Sequence, residues 1–132
     1  MEFELTDKER SILINRLIDY SDCKLSIDID DDLQYVAYIT DLSLFYVVNP
    51  GTSVLRQTFH SDVSGRGATI NKAIDNFIFK IVKVLRNQYN GISIDNTSGY
   101  DTNNIRNIIF TYLPDRYIEE NDKKGLISLW VF

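Results

Sequence analysis

Residues 69–89, TINKAIDNFIFKIVKVLRNQY, leave few choices to the rest of the chain. Apolar side chains recur at 70, 73, 74, 77, 78, 81, 82, 85 and 89. Spacings of three and four gather them on one face of an α-helix. Thr69 suits the N-cap, and Gly91 a stop just past the end. No other segment has so long a stripe, so the sheet must cover this helix, on the face holding Ile70, Ile74, Phe77, Ile81 and Leu85. A chain of 132 residues fits one domain, 1–132, able to bury a core without disulfides or metals.

Charge is distributed unevenly. Residues 1–42 hold eleven acidic and four basic side chains, a balance of −7. Residues 43–90 hold two acidic and six basic, a balance of +4. An acidic front argues against direct nucleic-acid binding by phosphate neutralisation, and suits pairing with a basic protein or with a second copy. The polar start, MEFELTDKER, is not expected to act as a signal peptide, and the short apolar runs fall well below the roughly 20 residues that span a bilayer. The single cysteine, Cys23, fits a reducing, cytoplasmic setting.

Along the chain, Thr6-Asp-Lys-Glu9 forms a capping box that opens a helix to about residue 20. Ile12, Leu13, Leu17 and Tyr20 lie on one face of that helix, and Ile14 and Ile18 widen the stripe. The period then drops to two. Strands are expected at 25–29, at 33–40 with Leu33, Tyr35, Ala37 and Ile39 on one side, at 44–48, and at 53–60 after the turn signal Asn49-Pro-Gly-Thr52. Residues 61–68 read as a loop feeding the long helix. A short strand near 92–95, a helix from Asp101 or Thr102 to Tyr112 ended by Pro114, and a closing strand at 126–132 with Trp130 complete the pattern. The expected fold is α+β: a four-stranded antiparallel meander on one long helix, with an N-terminal helix and a C-terminal helix plus closing strand.

No chemical motif stands out. Ser64-Gly-Arg-Gly-Ala-Thr69 precedes a helix, but it lacks the Gly-Lys-Ser/Thr ending of a P-loop and the third glycine of a dinucleotide site. The run Asp28-Ile-Asp-Asp-Asp32 is rich in carboxylates, yet a calcium loop counted from Asp28 would meet Leu33 and Ile39 where it needs glycine and glutamate. Three successive carboxylates of a turn are also expected to point in different directions. His60 has Asp62 nearby but no nucleophile motif. The eight tyrosines and seven phenylalanines lack the interleaved basic residues of an RNA-stacking sheet. Phe79 is the exception on the long helix, about 180° from Ile70 and among Lys72, Asp75, Asn76, Lys80, Lys83 and Arg86. Either the C-terminal segment folds over it, or it contacts another chain.

The order of strands followed by Gly67, Thr69, Ala73 and Ile74 on a long helix resembles the HicB antitoxin family over residues 33–85. That resemblance implies a small strand–helix domain whose partner is a small basic RNase. The family's glycine–cysteine segment is absent, and the N-terminal helix is an addition. In size, acidity and composition the chain is also similar to small phage proteins that disarm host defence, including anti-CRISPR proteins.

The sequence therefore points to a non-enzymatic, cytoplasmic inhibitor or regulator with no cofactor and no metal. Its partner would be a basic host protein, a nuclease or other nucleic-acid-binding protein. Asp28, Asp30, Asp31, Asp32, Asp41 and Phe79 are the candidate contacts.

Overall fold

A computed structural model describes residues 2–48, 57–87, 93–94 and 102–122. The order is α1 (Asp7–Ser21), β1 (Leu25–Ile29), β2 (Tyr35–Val48), β3 (Gln57–Gly67), α2 (Ile70–Asn87), β4 (Ser93–Ile94), α3 (Thr102–Tyr112) and a 3₁₀ turn (Asp115–Tyr117). The fold is α+β, three helices with an antiparallel sheet. The turn expected at Asn49–Thr52 and the strand expected at 126–132 lie outside the described residues. No helix among the described residues is long and apolar enough to cross a membrane.

β2 is the central strand. β3 pairs with one of its edges, while β1 takes the first half of the other edge and the two residues of β4 pair near its end. The two strands expected at 33–40 and 44–48 are one strand, so the four-stranded meander is not formed. The cause is a bulge. Tyr38 faces Ser64 and Ser43 faces Asp62, leaving residues 39–42 opposite Val63 alone. Odd-numbered β3 residues meet odd-numbered β2 residues before the bulge and even-numbered ones after it. That switch of parity resembles a turn in a one-dimensional reading, but a bulge achieves it without breaking the strand.

The loop expected at 61–68 is also mostly strand, since β3 continues to Gly67 and only two residues separate it from α2. Gly65 and Gly67 serve the contact between those two elements. A methyl group at Gly65 would overlap the α2 backbone at Ala73 and Phe77, and one at Gly67 would crowd Ala73 and Lys72. The glycines thus allow the helix backbone to lie directly on the strand. Thr69 accepts a hydrogen bond from Lys72 N at 3.1 Å, so its hydroxyl closes the first turn of α2.

Ala73, Phe77, Ile78, Ile81, Val82 and Leu85 are buried against Ala37, Ile39 and Val63 of the sheet and against the other helices. Ile70, at the start of α2, departs from the expected stripe and is 45% exposed. α1 and α3 pack on each other, burying Leu13, Ile14 and Leu17 with Ile105, Ile109, Phe110 and Leu113. Ile12, expected on the inner face of α1, points outward at 36% exposure. Both parts of the Thr6–Glu9 capping box form, at 3.2 and 2.8 Å.

The side of α2 that reads as polar in sequence is covered as well. Residues 2–6 run along it as an arm, burying Phe3 and Leu5. Arg10 of α1, 9% exposed, grips Asp75 of α2, 2% exposed, through Nε to Oδ1 at 2.8 Å and Nη2 to Oδ2 at 3.0 Å. The same pair holds the arm's backbone: Leu5 N donates to Asp75 at 3.3 Å and Arg10 Nη2 donates to Leu5 O at 2.8 Å. Further along, Arg86 donates to both oxygens of buried Asp122 at 3.1 and 2.9 Å and to Tyr117 O at 2.6 Å. A buried charge persists when it is paired and its remaining hydrogen-bonding groups are satisfied, and both pairs meet that condition.

Candidate protein-binding surface

The six candidate contacts do not converge on one place. Phe79 is partly covered: the arm and the segment after α3 close over it, and residues 123–132 of the C-terminal segment lie outside the described residues. Phe3 stacks on it with ring centroids 4.9 Å apart and planes 15° apart, and Tyr117 packs on Phe3 at 4.5 Å. Lys83 Nζ sits 4.8 Å from the Phe79 ring centre. Tyr117 is anchored in turn, its hydroxyl donating to Glu4 O at 2.8 Å and accepting from Glu4 N at 2.9 Å. Arg116 completes the clasp with bonds of 2.6 and 2.7 Å to the two oxygens of Glu9. That guanidinium holds the Glu9 carboxyl down at about 2. A cavity of about 190 Å³ lies beside the stack, with Arg86 and Arg116 in its wall. Both arginines are already engaged by carboxylates. Phe79 therefore belongs to an internal contact.

The acidic residues gather on the β1–β2 hairpin, and they are more ordered than a solvated turn requires. Asp30 Oδ1 accepts from the backbone N–H of Asp32 and of Gln34, both at 3.0 Å, which folds the turn around its side chain. The other oxygen of Asp30 receives Arg66 Nε, and Arg66 Nη2 reaches Asp32 Oδ2 at 2.7 Å. Two of the three successive carboxylates thus converge on one guanidinium instead of pointing apart. Arg66, together with the two backbone N–H groups, holds the Asp30 carboxyl below the ordinary range. Asp28 is held on the outer face of the sheet, accepting from the Tyr38 hydroxyl at 2.8 Å, and this pairing raises the phenol above its ordinary value. Asp31 is exposed at the tip. Asp41 belongs to the bulged part of β2, and its side chain lies outside the described residues. No hydrogen bond or ring contact among the described residues joins this hairpin to Phe79.

Three residues of this surface were not among the sequence candidates: Ile29, Leu33 and Ile70. They are 63%, 80% and 45% exposed, and the only other large apolar side chain among the described residues exposed to a comparable degree is Ile12. All three belong to one end of the sheet. Ile29 pairs with Tyr35, Tyr35 pairs with Gly67, and Ile70 opens α2 three residues later. Leu33 lies outside β2, in the turn, with φ at 60°. A leucine in the left-handed region is uncommon, because its Cβ crowds the backbone there. The sequence did carry a signal for it: a leucine directly after three aspartates occupies a turn position that local preference would give to glycine or asparagine.

Among the described residues no group of three or more His, Cys, Asp or Glu side chains is placed to hold a metal ion. Cys23 is partly buried at the end of α1, its backbone N–H bonded to Ser21 Oγ at 3.3 Å. Comparison with protein families, curated proteins and solved structures found no match.

Proposed function

We propose that this chain is a non-enzymatic inhibitor or regulator that uses the β1–β2 hairpin to occupy a basic, nucleic-acid-binding surface of a host protein, as a phage anti-defence protein of the anti-CRISPR type would. One observation carries the reading. Asp28, Asp30 and Asp32 are each held by a named partner, so the hairpin presents its carboxylates in fixed positions. Fixed charge attracts an oppositely charged surface at long range and loses little conformational freedom on docking. Arg66 offsets part of this charge and leaves the hairpin net acidic.

The test is capture from host lysate by the immobilised protein at low and high salt, alongside a variant with Asp28, Asp31 and Asp32 changed to Asn. Recovery of a basic nuclease or other nucleic-acid-binding protein, lost in the variant and in high salt, supports the reading. Equal recovery by the variant overturns it.

A second reading, an antitoxin that holds a small basic RNase, is favoured by the way Gly67 and Ala73 meet at the junction of β3 and α2. The same experiment separates the two by the identity of the captured protein.

A further inference from the structure

The exposed apolar side chains and the carboxylates share one end of the molecule, and their arrangement constrains the partner. Adjacent strands lie about 4.8 Å apart, so the row Ile29–Tyr35–Gly67 spans on the order of 10 Å. Ile70 stands at one end of that row and Leu33 beyond its middle, two residues before Tyr35. Asp28, Asp30, Asp31 and Asp32 border the same end. An apolar centre with a charged rim is the layout of a protein-docking surface, in which the centre supplies most of the affinity and the rim supplies steering and register.

We infer that Leu33, with Ile29 and Ile70 beside it, is the centre of this surface, and that its occupant is a basic amphipathic face of another protein, apolar in the middle and edged with lysine and arginine. The inference rests on the reading above and adds to it the chemistry of the partner. Charge selects a foreign basic partner over a second copy, since a self-complementary contact would bring both sets of carboxylates together. The backbone at Leu33 supports its assignment to the centre: a bulky side chain is kept at a left-handed turn position and is four-fifths exposed, where packing gives it little return.

The probe is a synthetic amphipathic helix of leucine with lysine and arginine, compared with an oligolysine of equal charge. Both are titrated into the full-length protein and into Leu33→Asn, which keeps the net charge and tolerates the left-handed backbone. The amphipathic peptide is expected to bind the wild type about tenfold more tightly than oligolysine does, and to move the amide signals of residues 29–35 and 67–71. Leu33→Asn should lose about tenfold in affinity for it at an unlowered melting temperature. Equal affinities across peptides and variants would overturn the apolar centre while leaving charge-driven binding in place. Absence of binding by either peptide at low salt would overturn both. Concentration-dependent self-association lost in Leu33→Asn would assign the surface to a second copy and overturn the inference.

Discussion

Phe3 lies flat against Phe79, with ring centres 4.9 Å apart, although one belongs to the arm preceding α1 and the other to the middle of α2. The stack makes Phe79 a structural residue. Phe79→Ser should lower stability by roughly 2 kcal/mol, less than the 3–5 kcal/mol typical of a fully buried ring because Phe79 is only partly covered. Phe3→Ala should cost a similar amount, and the double variant less than the sum, since each removes the same contact. Thermal melts at several protein concentrations check this. A variant as stable as the wild type that has lost a concentration-dependent association would return Phe79 to an interface.

The Arg10–Asp75 pair should behave as a buried ion pair does. Asp75→Ala leaves a guanidinium without its main partner and should cost about 3–5 kcal/mol, with Leu5 N–H losing its acceptor too. The double variant Arg10→Met with Asp75→Leu should recover most of that loss. A urea-denaturation cycle gives the coupling, and additivity of the two single changes would show that the pair does not act as a unit.

Gly65→Ala should be as damaging as Phe77→Ala, roughly 3–5 kcal/mol, though it adds one methyl where the other empties a core position. The methyl forces α2 off β3. If equilibrium unfolding finds Gly65→Ala near neutral, the helix does not rest on the strand at that point.

Acid should loosen the clasp between Glu9 and Arg116. The folded carboxyl titrates at about 2 against an ordinary 4.5, so its contribution is complete above pH 4.5 and disappears as pH falls toward 2. The wild type should be more stable than Glu9→Gln at pH 6, and the gap should close on acidification. It should also shrink with salt, since Arg116 is half exposed. Melting temperatures across that range decide it, and a gap constant with pH would contradict the assigned pairing.

Within the hairpin, Asp30→Asn should lower the melting temperature and Asp31→Asn should not. Only Asp30 both gathers turn amides and receives Arg66. Changing Asp30, Asp31 and Asp32 together to Asn would be harmless if like-charge repulsion alone decided, but it should follow the Asp30 single variant. Circular dichroism melts of the four proteins test this directly.

What the sequence made legible was whatever local periodicity encodes. The capping box at Thr6, the apolar spacing from Ala73 to Leu85 and the stop at Pro114 each act within a few residues. What stayed hidden depends on distant partners. Asp75 and Phe79 look like solvent-facing residues until Arg10 and Phe3 arrive from far along the chain. The bulge at 39–42 hides for a related reason: parity alone does not distinguish a turn from an inserted residue set, and only the register against Val63 does. At the hairpin the acidic residues were visible as charge, but their convergence on Arg66 and the exposure of Leu33 required the turn itself.

The arm also orders events during synthesis. Phe3, Glu4 and Leu5 are made early, yet what they bind is Asp75, Phe79, Arg116 and Tyr117. At about 5–20 residues per second, roughly ten seconds pass between translation of the arm and of its last partner. During that interval Phe3 and Leu5 lack part of the packing that finally buries them. A ribosome-associated chaperone that recognises short apolar segments would find Phe3 and Leu5 more accessible until the 3₁₀ turn emerges, so the arm is made well before the contacts that secure it.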